Sequence, residues 1–321
     1  MLRRTLIYTI DTTPEQQVSG SGGDNNCAFH LSSMYEATRQ AIINRLIAER
    51  NRRKFKDIME IFHLSGENWN QTMHTMLMKF IGGFDNGAAA MNLSRRVTYP
   101  IIMRERSSRT AIEALLLGAS GLLNLYNAKD EYVAHLKMEY DHLAAKYNIE
   151  TMELSEWQLS KVRTQSHPTL QLAQLAACYV ENEISMNSVT QCRSLDDIYR
   201  LFSGHASEYW LKHFIPNYTA SDISSRFSKM KSEMLGINFV AQLIYAYGYY
   251  TLSPTLNDQA TELLRGIPAE KNRYITGWNR YSIVAHNAID SQALIQLSRE
   301  YCLRRRCHQC PVDRWFRCSQ M

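Results

Sequence analysis

Tyr35-Glu-Ala-Thr-Arg-Gln-Ala-Ile-Ile-Asn-Arg-Leu-Ile-Ala-Glu-Arg-Asn-Arg-Arg-Lys-Phe-Lys-Asp-Ile-Met-Glu-Ile-Phe-His-Leu64 is the stretch that decides the fold class. Its apolar positions Ile43, Ile47, Phe55, Ile58, Met59 and Phe62 recur at helical spacing, so one face of a long α-helix is buried here. Gly66 stops it. Working toward the C-terminus, Trp69, Met73, Met76, Leu77 and Phe80 share the face of a second helix, ended by Gly82-Gly83. Residues 85–97 read as a short third helix and 112–125 as an apolar one. Residues 130–147 are amphipathic through Tyr132, Leu136, Tyr140, Leu143 and Tyr147. Pro168 opens a helix that runs to Ile184. Further helices are expected over 195–202, 208–214, 226–249, 259–264 and 291–303. Between Leu31 and the C-terminus no segment alternates like a strand, and no repeat or heptad array occurs. The expectation is an all-α, multi-helix globular domain with at most two short strands.

Toward the N-terminus the pattern fails. Ser19-Gly-Ser-Gly-Gly-Asp24 is polar and glycine-rich, and the residues before it resemble a stray strand without partners. The apolar run near Met1 is broken by Thr9 and stopped by Asp11, too early for a signal peptide. The longest apolar stretch, 239–252, contains Gln242 and Gly248 and is too short to span a bilayer. Three segments follow: a flexible linker or remnant over 1–30, a helical domain over 31–301, and a basic cysteine-rich tail over 302–321. At 321 residues with 45% hydrophobic content, the middle segment can bury a large core.

The tail carries the chemistry. Four of seven cysteines, Cys302, Cys307, Cys310 and Cys318, fall in it, and the Cys307-x-x-Cys310 spacing lets two thiolates reach one ion. Arg304, Arg305, Arg306, Arg314 and Arg317 stand against Asp313 alone, and cations favour thiolate over thiol. Four soft ligands suit tetrahedral zinc, with an iron–sulfur cluster as the alternative. The three cysteines from Cys302 to Cys310 are expected to converge on one point, with Cys318, or His308 as its substitute, at the open corner. Cys27, Cys178 and Cys192 are expected to be unpaired, since the helical pattern puts Cys178 on a buried face and nothing aligns the other two. An odd cysteine count clustered at one end fits a reduced, cytoplasmic protein better than a disulfide framework.

The same residues argue for an anionic partner. Arg45, Arg50, Arg52, Arg53, Lys54 and Lys56 make a second cationic stretch, and Arg95, Arg96, Arg104, Arg106 and Arg109 a third. Arg50, Arg53 and Lys54 together with the tail arginines are the candidate contacts to DNA or RNA phosphates, and Trp315 and Phe316 the candidates for base stacking. A solvated helix face is the bland explanation of such runs.

Other constellations carry less. Glu60-x-x-His63 and Glu139-x-x-His142 have di-iron spacing, but Glu139 and His142 sit to one side of the helix's core face, where ordinary i,i+4 pairing accounts for them. Gly118-Ala-Ser-Gly121 does not meet nucleophile-elbow spacing, and its small residues suit close helix packing. Tyr245-Ala-Tyr-Gly-Tyr-Tyr250 suits packing at a helix end better than ligand stacking. No phosphate loop or dinucleotide fingerprint is present.

Five blocks in order resemble an uncharacterised bacterial family, domain of unknown function 2851. They are Ile112-Glu-Ala-Leu-Leu-Leu-Gly-Ala-Ser-Gly-Leu-Leu123, Pro168-Thr-Leu-Gln-Leu-Ala-Gln-Leu-Ala176, Ile237-Asn-Phe-Val-Ala-Gln-Leu-Ile-Tyr-Ala-Tyr-Gly248, Ile267-Pro-Ala-Glu-Lys-Asn272 and the run from Ser291 to Cys310. The resemblance covers roughly residues 27 to 312 and implies no established activity. Family members usually begin with a β-rich region reminiscent of metal-dependent nucleases. That region is missing here, so the resemblance implies a shortened form without the catalytic half. The family tail matches through Cys302, Cys307 and Cys310, whereas Cys318 rests on this sequence alone. Two functions remain open: a nucleic-acid-associated module with a metal-shaped basic surface, or a structural or protein-interaction domain whose metal staples the tail.

Overall fold

The computed structural model describes residues 23–125, 130–160, 162–216, 218–220 and 223–319. The expected stray strand near the N-terminus lies outside these residues. From Gly23 on, the segment expected as linker is helical: α1 (Gly23–Ser33) buries Ala28 and Leu31.

Helices α2 (Glu36–Leu64) and α3 (Trp69–Arg96) follow, separated by Gly66 at φ 64° and by Asn68, whose side chain accepts the Gln71 N–H to start α3. The two helices expected on either side of Gly82-Gly83 meet in α3 across a kink, with Gly83 at φ 68°, ψ −153°. Lys231 closes the kink by donating to the carbonyls of Phe80 at 3.0 Å and Ile81 at 3.3 Å. Burial pushes its ammonium down to about 8. Replacing Lys231 with Met is expected to cost about 1–3 kcal/mol, because the carbonyls lose their charged donor. Urea denaturation at pH 7 checks this, and an unchanged midpoint would show that water serves those carbonyls equally well.

The centre holds α4 (Tyr99–Glu105), α5 (Arg109–Ala119), α6 (Glu131–Tyr147) and α7 (Pro168–Asn182), with α5 packed between α6 and α7. Every residue from Ala111 to Ala119 is buried. Short helices α8 (Met186–Gln191) and α9 (Leu195–Leu201) each start in a reciprocal capping box, at Ser185 and Ser194. The helix expected over 208–214 is only a 3₁₀ turn, after which β1 (His213–Ile215) pairs antiparallel with β2 (Tyr218–Thr219). Pro216 disfavours helix at Ile215, and the Thr169 hydroxyl draws the Phe214 carbonyl away from any helical ladder.

One rod runs from α10 (Lys229–Leu235) through a π-turn at Gly236–Val240 into α11 (Ala241–Tyr250), as the apolar run predicts. It is followed by α12 (Pro254–Gly266), α13 (Arg273–Asn279), α14 (Ala288–Leu297) and α15 (Pro311–Ser319). α2 packs on α11 and α14, and a single hydrophobic core links Leu31 at one end of the chain to Cys310 and Val312 at the other. Two short strands form the sheet among the described residues, so the fold is all-α. No described helix is long and apolar enough to cross a membrane.

Candidate cysteine pocket and cationic groove

The C-terminal knuckle is built by local backbone chemistry. α14 continues as a π-turn through Ser298–Cys302. It ends where the Arg305 N–H reaches the Cys302 carbonyl and the Arg306 N–H the Tyr301 carbonyl, with Arg305 at φ 51°. This is a Schellman stop with arginine in the position glycine usually takes. A 3₁₀ turn over Cys307–Gln309 follows, closed by the Cys310 N–H on the Cys307 carbonyl at 2.9 Å. Cys310 then caps α15: its carbonyl accepts the Arg314 N–H, and Pro311 occupies the first helical position.

This path brings three of the predicted cysteines to one small cavity. Cys302, Cys307 and Cys310 line it together with Trp278, Leu297, Tyr301 and Val312, and the fourth cysteine in its wall is Cys27 from α1. The space open to the centre of a water molecule is about 20 Å³. Burial pushes the Cys310 thiol up, while the Val312 and Asp313 amides that hydrogen-bond its sulfur push it down. The side chains share a cavity but do not yet form a ligand set: among the described residues no three His, Cys, Asp or Glu side chains stand at metal-holding geometry. Cys302, Cys307 and Cys310 therefore line one cavity without the sulfur grouping that a bound metal requires. Cys318 and His308 are exposed and do not line the cavity. Cys178 and Cys192 are buried in the core, and no disulfide forms among the described residues.

The second feature lies on the outer side of α2. Arg52, Arg53 and Lys56 line an open groove with Phe55, Tyr245, Tyr249 and Glu49. The rings of Phe55 and Tyr249 lie 4.6 Å apart, and Tyr245 stacks on Tyr249 at 6.3 Å. Glu49 is already engaged by Arg45 at 3.0 Å and by the Tyr301 hydroxyl at 2.5 Å. The tyrosine run of α11 therefore divides: Tyr245 and Tyr249 wall the groove, whereas Tyr247 and Tyr250 pack on Trp69.

The predicted phosphate contacts are distributed unevenly. Arg50 is 3% exposed and donates to Asn238 Oδ1 at 3.2 Å, so it supports the interior instead of presenting charge. Burial and neighbouring Arg53 hold its guanidinium down to about 10. Lys54 is partly buried beside Asp57, with burial, Arg50 and Arg53 pushing its ammonium down to about 8. Arg53 reaches the surface, donating to Gln296 at 3.0 Å and standing 3.9 Å from Glu300. Glu300 also holds Arg304 at 3.0 Å, so groove and tail meet at this one carboxylate. Arg304, Arg305, Arg306, Arg314 and Arg317 are all exposed, Arg317 paired with Asp313 at 2.9 Å. The third basic stretch is largely neutralised, Arg106 by Glu183 and Arg109 by Glu181. Trp315 packs against the core and Phe316 stacks on His30 at 3.7 Å, so both rings are used in docking α15.

Sequence spacing could not find Cys27, a lone cysteine far from the tail, nor Glu113, a buried carboxylate bonded by the Tyr132 hydroxyl. Burial raises the Glu113 carboxyl above its ordinary range. With Tyr132, Ser207 and Trp210 it forms a polar cluster inside the α5–α6 layer.

Fold and sites together define an all-α protein with a four-cysteine cavity beside a cationic, aromatic-walled groove. The chain belongs to the family described as protein of unknown function (DUF2851), whose model matches residues 4–273. The match takes in Cys27 and the whole groove but ends before the Ser291–Cys310 block, so the C-terminal cysteines lie beyond it. No curated protein and no solved structure matches the chain.

Proposed function

We propose that the protein associates with nucleic acid, through a strip that begins in the α2 groove and continues over Glu300 onto the tail arginines. One observation carries this reading: Arg52, Arg53 and Lys56 open into the same groove as Phe55, Tyr245 and Tyr249. Cations track phosphates, and aromatic faces take unstacked bases, so the groove suits single strands better than duplex. Its own carboxylate is engaged by Arg45 and Tyr301 and offers little opposition to an anion. The tail supplies further positive charge next to Arg53 through their shared partner Glu300.

The test is fluorescence anisotropy with a labelled oligothymidylate and a duplex of equal length across a salt series. Each phosphate neutralised on a single strand should add about −0.7 to the slope of log affinity against log salt. Arg52→Ala with Lys56→Ala is expected to flatten that slope by roughly one to two units. Tyr249→Ala should weaken single-strand binding by roughly 1–3 kcal/mol with little effect on the slope. Absence of binding to DNA or RNA at low salt would remove this reading in favour of a protein-interaction domain.

A further inference from the structure

We infer that the cavity between α1 and the C-terminal knuckle is a zinc site whose fourth ligand is Cys27, not Cys318. The inference stands independently of the nucleic-acid reading.

The donor set comes first. Cys27, Cys302, Cys307 and Cys310 are the polar side chains of a pocket otherwise walled by Trp278, Leu297, Tyr301 and Val312. Four soft donors in a mostly apolar shell suit a closed tetrahedral structural zinc. The size agrees: the space open to the centre of a water molecule is about 20 Å³, enough for one ion.

Geometry along α15 excludes Cys318. Cys310 caps the helix and Cys318 lies two turns further on, a rise of about 12 Å at about 1.5 Å per residue. Sulfurs sharing one zinc, each about 2.3 Å from the metal, stand about 4 Å apart. Cys318 is also exposed, as is His308, and neither faces the cavity. Cys27, in contrast, is held against the knuckle by packing that does not depend on the ion. Phe316 of α15 stacks on His30, three residues beyond Cys27, with the ring planes 28° apart, and α1 packs directly on α15.

Charge supports the assignment. Four thiolates around Zn²⁺ carry a net charge of minus two. The Val312 and Asp313 amides already direct N–H groups to the Cys310 sulfur, as metal-bound thiolates require. Arg304, Arg305, Arg306 and Arg314 belong to the knuckle's own sequence and are exposed, and nearby cations lower the cost of ionising thiols. Loading the site releases the thiol protons to solvent and draws in Cys307, which sits exposed on a short 3₁₀ turn and is free to change rotamer. The ion would then fasten the two ends of the described chain, α1 and α15, to the end of α14.

The full-length protein, purified under reducing, anaerobic conditions, tests this by elemental analysis and by alkylation followed by mass spectrometry. About one zinc per chain is expected. Cobalt substitution should give the intense thiolate charge-transfer and tetrahedral ligand-field bands of a four-sulfur site. Cys27→Ser is expected to weaken zinc binding at least tenfold, whereas Cys318→Ser and His308→Ala leave it unchanged. Since Cys27→Ser could also loosen α1, the wild type provides a second readout. With zinc bound, Cys27, Cys302, Cys307 and Cys310 should resist iodoacetamide together while Cys318 reacts. Chelation should expose all four at once. Metal-free protein, iron with acid-labile sulfide, or protection of Cys318 in place of Cys27 would each overturn the inference. Failure of nucleic-acid binding would leave these readouts untouched.

Discussion

Between pH 7 and pH 4 the folded protein is expected to lose several kcal/mol of stability, most of it through two buried histidines. His74 is fully buried, its Nε2 donating to the Val97 carbonyl at 2.8 Å and its Nδ1 against the Tyr179 hydroxyl at 2.6 Å. That arrangement satisfies the neutral ring, and burial holds its pKa down from 6.5 to about 4. His167, capping α7, is likewise pushed down to about 4 by burial. In the unfolded chain both bind protons near pH 6.5, whereas in the folded protein they do so near pH 4. Their contribution is therefore complete above about pH 6.5 and lost as pH falls toward 4, on the order of 3 kcal/mol for each. Glu105, Asp130 and Asp197, held below the ordinary carboxylate range, act in the same direction further down. Glu113, held above it, opposes them. Urea midpoints at pH 7, 5.5 and 4.5 measure the balance. A level midpoint across that range would mean that both histidines take up protons in the folded state as readily as in the unfolded chain.

Gly118→Ala should destabilise the protein by about 3 kcal/mol or more, although alanine is the better helix former by roughly 1 kcal/mol. A methyl group at Gly118 would overlap the ring carbons of Tyr140, which lies across the α5–α6 contact. The ring cannot simply swing away: Tyr140 is 7% exposed and its hydroxyl is bonded to Thr151 at 2.8 Å. Tyr140→Leu in the Gly118→Ala background should return part of the loss. The sign makes the experiment decisive, since a helix governed by propensity alone would become more stable. Thermal denaturation of the two variants distinguishes the cases.

The small residues of Gly118-Ala-Ser-Gly121 thus serve close packing, as their apolar setting suggests, and Gly121 adds a φ of 75° that turns the chain out of α5. Long helices with strong periodicity, α2, α6 and the rod through α11, fall where the apolar spacing puts them. Of the short ones, α9 falls where it is expected and several others escaped notice. α4, α8, α13 and α15 are seven, six, seven and nine residues long, too few turns for a periodic signal to rise above chance, and their starts depend on caps such as Ser185 and Asn272. The expected helix over 208–214 failed for a local reason, Pro216, and a distant one, Thr169.

By itself the sequence determined the fold class, because periodic burial over many turns outweighs any single tertiary contact. It also determined the residue chemistry of the tail, since thiols and arginines keep their character wherever the chain carries them. Only the tertiary structure decided which of those groups meet. Arg50 and Arg53 are three residues apart on one helix, yet the first is buried against Asn238 and the second opens into the groove. Cys318 sits eight residues from Cys310, exposed and outside the cavity lining, whereas Cys27 crosses nearly the whole chain to line the same cavity. Proximity along a helix is limited by a fixed rise per residue, while proximity across the fold is set by packing, and packing between chain ends leaves no trace in local spacing.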